Sequence, residues 1–224
     1  FMADLAVRAG GFGEVLPDWE AAVFDEAHLM EDAATSYFGR TISSWGLIVL
    51  KRELERVLAL PALEKAVSSI LPLAEIFIRQ VDVLAHTFHR RDGEKELWLD
   101  DDPEAQGFRE FLMNYHHDAA ALAGRLKPLA RDNDDVAPLF SRVSETAANL
   151  LFMAQASDRE YVYQSERSGR RLTLSAFPIR VSKQLSEGLI NTGRTLVFTS
   201  ATLSSAGDFS YFKERIGLWP EVEG

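Results

Sequence analysis

The four residues Asp25-Glu26-Ala27-His28 are the clearest candidates for chemistry in this sequence. They directly follow the apolar run 21–24, which is typical of a short buried strand. Phosphoryl transfer from ATP needs a magnesium ion near the phosphates and a group that orients the attacking water. An aspartate at the end of a strand can hold the metal's water shell, and an adjacent glutamate can act as general base. The structural alternative is an acidic strand end or a helix cap.

A second group of polar residues, Ser200-Ala201-Thr202, follows the apolar run 195–198. Small polar turns are frequent, so this group alone is weak evidence for a functional site. If both apolar runs are strands of one sheet, their ends would bring His28 near the hydroxyls of Ser200 and Thr202. Hydroxyls can hydrogen-bond a histidine, and such contacts can relay the state of a bound nucleotide. The two groups together therefore predict a site built from two strand ends.

The elements that must position these residues fall into three zones, 1–38, 39–157 and 158–224. The middle zone has apolar residues at three-to-four spacing, which predicts helices over 42–60, 61–89, 103–129 and 135–156. Pro72 is expected to kink the second helix or split it in two. The last zone predicts a hairpin around Ser168-Gly169, a short helix over 181–190 and the strand 195–198.

This pattern predicts an α+β fold that is mostly α. An antiparallel helical bundle, the zone 39–157, is flanked by two pieces of one incomplete α/β domain. The zone 1–38 carries the first chemical motif and the zone 158–224 carries the hairpin and the second motif. Neither flanking zone is long enough to fold alone, so the two pieces are expected to share one sheet.

Composition limits what the chain can be. It has 224 residues, 46% of them hydrophobic, a formal net charge of −10 and no cysteine. These values exclude a disulfide scaffold, an iron–sulfur cluster held by this chain and a globally basic nucleic-acid coat. No apolar run is long enough to cross a membrane. The start at Phe1-Met2 is typical of a cut within a longer protein, and the absence of cysteine suits a reducing compartment such as the cytoplasm.

Basic residues concentrate locally in spite of the acidic total. Residues 159–183 carry six basic and two acidic side chains. The cluster is either a solvated hairpin or a surface that meets phosphates, and Arg167, Arg170 and Arg171 are its candidate DNA contacts. Trp98 is a further candidate for base stacking, because it lies in an acidic connector that is expected to be exposed. Three other aromatic residues are candidates for the same stacking, but their helical spacing favours the core: Trp45, Phe108 and Tyr115.

Both motifs resemble those of a known enzyme family. The segments 23–28 (VFDEAH) and 197–203 (VFTSATL) resemble motifs II and III of superfamily 2 helicases. The long helical insertion between them resembles the DinG-like branch of the XPD-type helicases. Further similarity to that branch lies in the stretches 2–8, 11–17, 161–163, 209–212 and 216–218.

The resemblance implies a fold and a set of roles. The helical zone would be an Arch domain that guides single-stranded or forked DNA, and the flanking zones would be parts of a RecA-like motor domain. Asp25 would hold magnesium through water, Glu26 would activate the attacking water, and His28 would complete this DEAH box. Ser200 and Thr202 would couple the state of ATP to DNA. The cofactors implied are Mg²⁺ and ATP, and the implied setting is DNA repair or replication in the cytoplasm.

Three departures from the family pattern limit what the chain can do alone. The sequence contains no Gly-Lys-Ser/Thr phosphate loop, no second motor domain and no arginine finger. The isolated chain is therefore expected to be a helicase fragment that neither hydrolyses ATP nor unwinds DNA. An iron–sulfur cluster stays open for a longer parent, but not for this chain. The alternative is a non-catalytic helical module that binds protein or DNA and whose DEAH-like letters are structural.

Overall fold

The computed structural model describes Met2, 16–87, 95–96, 103–169, 171–204 and 207–218. Within these residues the chain is α+β and mostly helical, as the sequence predicted. The strands are β1 (Ala21–Phe24), β2 (Arg40–Ser43), β3 (Lys95–Glu96), β4 (Tyr161–Ser168), β5 (Arg171–Pro178) and β6 (Thr195–Phe198). The α-helices are α1 (Met30–Phe38), α2 (Ser44–Leu58), α3 (Glu64–Thr87), α4 (Pro103–Leu129), α5 (Val136–Gln155), α6 (Ser182–Gly188) and α7 (Ser210–Ile216). Short 3-10 turns occupy Ala27–Leu29, Pro61–Leu63 and Ile190–Thr192.

The chain divides into two compact units. The strand unit comprises Phe1–Gly39 and Phe177–Gly224, and the helical unit comprises Arg40–Ala176. The first division lies within a residue of the boundary expected at 38. The second lies at 176 instead of 157, because β2 pairs with β5 and so ties the hairpin to the helices. The hairpin is therefore part of the helical unit.

The strand unit is built on two parallel strands. β1 and β6 pair in register from Ala21 opposite Thr195 to Phe24 opposite Phe198. The Phe24 and Phe198 rings stack with their centroids 5.5 Å apart, on the face that packs against the unit's core. That core contains the buried residues Met30, Ala34, Val181, Leu185, Leu189 and Ile216. Both strands were predicted at these bounds, because each is a short apolar run with polar residues at both ends. The expectation that the first is buried was wrong, since the Val23 side chain is 68% exposed.

The helical unit has the larger core. Its central helices α4 and α5 pack along most of their length, α3 packs on α4, and α2 packs on α3 and α5. The largest fully buried side chains there include Leu54, Phe77, Tyr115, Leu122 and Leu150. A four-stranded sheet in the order β2-β5-β4-β3 contributes Tyr163, Leu172 and Leu174 to the same core. Apolar side chains at three-to-four spacing thus bury one face of each helix, as predicted.

Three details of the helical unit differ from the prediction. β2 was missed, because Arg40–Ser43 is short and lies where the helical pattern begins. Pro72 lies inside α3 without ending it, so of the two expected outcomes, a kink or a split, the split is wrong. Trp45 was expected in the core, but its side chain is 56% exposed.

No single helix in the described part of the chain has the length and apolar composition of a membrane span. The segments Ser44–Leu58 and Pro61–Leu84 together have the length and composition of a membrane span, but the chain bends by 76° at the break between them.

Candidate active site

The ends of β1 and β6 are locked together by backbone hydrogen bonds. Thr199 N donates to Phe24 O at 2.9 Å, and Ala27 N donates to Thr199 O at 2.9 Å. The parallel register therefore continues one step past both strands and sets Asp25 opposite Thr199. Parallel strands end at the same edge of a sheet, which is why two loops that are distant in sequence meet here.

Asp25 is held as an exposed, oriented carboxylate. Its Oδ1 accepts hydrogen bonds from Thr199 Oγ1 at 2.7 Å and from Glu26 N at 3.0 Å. The Thr199 hydroxyl, and then the Glu26 amide, lower the pKa of Asp25 below its usual value, because both donate to the ionised form. The other carboxylate oxygen of Asp25, Oδ2, makes no hydrogen bond to any described residue. It therefore lies outside the pair of hydrogen bonds that hold Oδ1.

Glu26 has a strained backbone. Its φ of 50° and ψ of 43° lie in the left-handed region, which is uncommon for a residue with a side chain. This conformation starts the 3-10 turn Ala27–Leu29 immediately after the strand. The Glu26 side chain is 59% exposed, and its Oε2 lies 3.2 Å from His28 Nδ1. The strain therefore accompanies a carboxylate that stands in solvent beside Asp25.

His28 and Ser200 are in direct contact. His28 Nδ1 lies 2.8 Å from Ser200 Oγ, and the Ser200 hydroxyl donates to Glu26 Oε2 at 3.3 Å. These bonds are all satisfied when His28 Nδ1 carries a hydrogen. Thr202 makes a looser connection, since its N donates to Ser200 Oγ at 3.3 Å and its Oγ1 lies 3.5 Å from the same atom. The structure thus brings Glu26, His28 and Ser200 into one cluster, with Thr202 behind Ser200.

An open cleft of about 500 Å³ adjoins the carboxylates within the strand unit. Its lining is mainly apolar, and its residues are Met2, Phe24, Asp25, Glu26, Ala27, Leu29, Met30, Ala33 and Tyr37. Its two acidic lining residues, Asp25 and Glu26, are exposed to solvent.

The donor set near Asp25 suits a metal that is held mainly by substrate. No group of three or more His, Asp or Glu side chains in the described ranges could hold a metal ion by itself. Magnesium in nucleotide sites usually takes one or two carboxylates together with water and substrate phosphates. The free Oδ2 of Asp25 fits that limited role.

The predicted DNA contacts are placed unevenly. Arg171 is exposed at the start of β5, whereas Arg167 is only 9% exposed and its Nε donates to Gly169 O at 3.2 Å. Arg170 and Trp98 lie outside the described residues. Phe108 and Tyr115 are buried in the core of the helical unit, as expected.

Thr199 is the site residue that the sequence reasoning missed. The signal was available, because Asp25 and Thr199 each follow their strand by one residue in a parallel pair. A hydroxyl at that position is placed to orient the aspartate across the sheet.

Comparison with curated proteins gives relatives over nearly the whole chain. The chain is 29% identical to "ATP-dependent DNA helicase YoaA" of Escherichia coli (strain K12), over 97% of the chain and 34% of that protein. It is 27% identical to the protein of the same name from Haemophilus influenzae, again over 97% of the chain and 34% of the relative. The resemblance to DinG-like helicases is confirmed.

A third relative extends the comparison to another bacterial lineage. The chain is 24% identical to "Probable ATP-dependent helicase YpvA" of Bacillus subtilis (strain 168), over 91% of the chain and 31% of that protein. The chain spans about a third of the length of these helicases. No protein-family model matches it.

Proposed function

We propose that this chain carries the water-activating half of the ATP site of a DNA helicase, together with an Arch-like helical domain that guides DNA. The observation that carries the proposal is the 2.8 Å contact between His28 Nδ1 and Ser200 Oγ at the ends of two parallel strands. A DEAH-type motif and a Ser-Ala-Thr motif that merely occurred in one sequence would have no reason to meet. The helicase relatives support the same conclusion.

Asp25 is proposed to bind magnesium through water. The Thr199 hydroxyl and the Glu26 amide fix its Oδ1 and keep the carboxylate ionised, so Oδ2 can accept a hydrogen bond from the metal's water shell. When bound, Mg²⁺ offsets the negative charge on the phosphates of ATP. Orientation is the contribution of this chain, because a carboxylate clamped on one oxygen presents the other in a single direction.

Glu26 is proposed as the general base. Its carboxylate stands beside Asp25 and is reachable from solvent, so it can accept a proton from a water that attacks the γ-phosphate. Its backbone strain supports this role, because unusual conformations of this kind concentrate at functional sites.

His28, Ser200 and Thr202 are proposed to report the state of this site to the DNA-binding surface. Ser200 Oγ contacts both Glu26 and His28, so a change in hydrogen bonding at Glu26 alters the bonds of the β6 loop. A loop that moves with the nucleotide is the kind of two-state element that coupling requires.

The helical unit is proposed to guide single-stranded DNA in an Arch-like manner. Arg171, exposed on the hairpin, would contact a phosphate, while Arg167 braces the turn through Gly169. Arg170 and Trp98 remain candidates for the same role. We place the activity of the parent in DNA repair or replication in the cytoplasm.

The isolated chain is proposed to be inactive. Its sequence contains no Gly-Lys-Ser/Thr loop to hold the β- and γ-phosphates, and positioning of these phosphates supplies most of the catalysis in phosphoryl transfer. ATP hydrolysis by the purified 224-residue chain would contradict this.

The decisive experiment compares Glu26→Gln with the wild-type residue in the longer helicase polypeptide. DNA-stimulated ATP hydrolysis should fall by about 10²–10⁴-fold, while ATP binding persists, because only proton transfer is removed. Glu20→Gln is the matched control, since Glu20 is an exposed glutamate just before β1 and should leave the rate unchanged. Full hydrolysis in the Glu26→Gln variant would overturn the proposed role.

A further inference from the structure

The outer face of α2 carries an exposed stripe that the ATP site does not use. Trp45, Val49, Arg52 and Arg56 are spaced four, three and four residues apart, so they lie along one side of the helix. All four are exposed, and Trp45 and Val49 are 56% and 38% exposed. The opposite side of α2 is buried, with Leu47, Leu50, Leu54 and Val57 in the core. We call these four residues the α2 stripe.

The two arginines of the α2 stripe have no ion-pair partner among the described residues. The neighbouring charges of the helix do: Lys51 pairs with Asp82 at 3.5 Å, and Glu53 pairs with Arg142. Glu55 is the exposed acid beside the stripe, so the local balance of Arg52, Arg56 and Glu55 remains positive. Arg56 also lies in the last turn of α2, where a cation is favourable, but Arg52 has no such structural reason.

The α2 stripe begins beside the hairpin. Ser44 Oγ accepts a hydrogen bond from Leu172 N at 3.1 Å, which places the first turn of α2 next to the start of β5. Trp45 follows Ser44 in sequence, and the exposed Arg171 precedes Leu172. Each is therefore next in sequence to one partner of this hydrogen bond. The first turn of α2 and the start of β5 are therefore hydrogen-bonded neighbours within the helical unit.

We propose that the α2 stripe is a binding track for single-stranded DNA, with Trp45 as the stacking platform and Arg52 and Arg56 as phosphate contacts. The proposal rests on the proposed function, because it supplies the DNA-binding residues of the helical unit. An exposed tryptophan offers a flat π-face that any unpaired base can cover, and arginine binds phosphate through paired N–H donors. The helix rises about 16 Å from Trp45 to Arg56, long enough to follow several nucleotides.

Charge and shape favour this occupant over three others. A second copy of this chain would bring another net charge of −10 to the surface, and the unpaired arginines would not offset it. A duplex would leave Trp45 without a partner, because its bases are already stacked and paired. An acidic protein would satisfy the arginines but would not require the aromatic ring.

The test measures binding of an end-labelled oligothymidylate to the full 224-residue chain by fluorescence anisotropy over a range of salt concentrations. Trp45→Ala should weaken binding about fivefold or more, and Trp45→Phe should retain most of the affinity. Arg52→Gln with Arg56→Gln should weaken binding and reduce the salt slope by about 1.4, since each lost phosphate contact contributes about 0.7. Arg125→Gln with Lys127→Gln is the charge-matched control, because both are exposed on α4 and lie outside the stripe.

Four outcomes would overturn the track. They are no binding by the wild-type chain, equal loss in the control pair, equally tight binding of a duplex, and displacement of the oligonucleotide by polyglutamate as readily as by unlabelled DNA. In the longer polypeptide, substitutions in the α2 stripe that lower the Tm and leave DNA affinity unchanged would show that the stripe is an internal interface. That result would also contradict the track. None of these results affects the Glu26→Gln test, so failure of the track and failure of the proposed function are distinguishable.

Discussion

His28 and Ser200 are 172 residues apart in sequence, yet His28 Nδ1 lies 2.8 Å from Ser200 Oγ. The parallel register of β1 and β6 produces this contact, because each residue sits in the loop that follows its strand. The whole helical unit lies between them in sequence. Motif spacing along the chain therefore says little about spacing in the site, which the sheet alone determines.

If this contact relays the state of ATP, His28 and Ser200 should act as a unit. In the longer helicase, His28→Asn and Ser200→Ala should each reduce the stimulation of ATP hydrolysis by DNA. The double variant should be no worse than the poorer single variant, with an interaction energy of about 0.5–3 kcal/mol. Thr202→Val should have a smaller effect, because its hydroxyl is 3.5 Å from Ser200 Oγ and does not contact His28. Strictly additive effects of the His28 and Ser200 substitutions would contradict a relay through this contact.

The clamp on Asp25 makes a prediction about pH. Thr199→Val removes the hydroxyl that most lowers the pKa of Asp25, so this pKa should rise towards its ordinary value. In the wild-type chain the clamp stabilises the folded state above the ordinary carboxyl pKa, and this contribution is lost as pH falls through the lowered pKa of Asp25. In the variant this contribution should be smaller above the ordinary carboxyl pKa, because the folded-state pKa of Asp25 lies closer to its unfolded value. Carboxyl carbon NMR titration of Asp25 measures the shift directly.

Thr199→Ser is the control for that titration. Serine keeps the hydroxyl and lacks only the methyl group, so the pKa of Asp25 should stay low. An unchanged titration in Thr199→Val would show that the Glu26 amide alone holds the carboxylate.

The sequence predicts this site better than it predicts the units that surround it. The strands 21–24 and 195–198 were found at their bounds, since a short apolar run with polar ends has few alternative structures. β2 could not be found in this way, because Arg40-Thr41-Ile42-Ser43 carries only one strongly apolar residue and its partner β5 is over a hundred residues away. Missing β2 also misplaced the hairpin, because that pairing is what joins it to the helical unit.

The prediction for Trp45 was wrong in another way, because a residue expected in the core is exposed. Its three-to-four spacing with Ile48 and Val49 predicted a core position, yet the buried residues of α2 are Leu47, Leu50, Leu54 and Val57. The helix is rotated so that the leucines face inward. A longer reading of the same face, from Trp45 through Val49 to Arg52 and Arg56, changes from apolar to basic and indicates an outer surface.

Tyr115 offers a test of the core of the helical unit. Its side chain is fully buried between Phe77 and Phe111, and its hydroxyl has no hydrogen-bond partner among the described residues. Burial, together with the nearby charges of Asp118 and Asp82, raises its pKa, so the hydroxyl stays neutral. Tyr115→Phe should leave the free energy of unfolding unchanged or raise it by up to about 1 kcal/mol, because an unsatisfied polar group is removed.

Urea denaturation of the 224-residue chain measures this change. Tyr37→Phe is the control, since Tyr37 is 42% exposed. A loss of more than about 1 kcal/mol in Tyr115→Phe would reveal a buried partner, such as a water molecule, for the hydroxyl.

Gly217 directly follows α7 in the strand unit. Its replacement should lower the free energy of unfolding for two separate reasons. Its φ is +79°, which costs an alanine about 1–2 kcal/mol, and a Cβ there would collide with the Ser182 carbonyl at the start of α6. Gly193 has a φ of +72° with open space around it, so Gly193→Ala carries the backbone cost alone. Gly217→Ala should therefore lower the free energy of unfolding by at least about twice as much as Gly193→Ala, as thermal unfolding can measure. Equal losses would mean that α6 and α7 move apart freely, and the close packing of these two helices would then contribute nothing to the strand unit's stability.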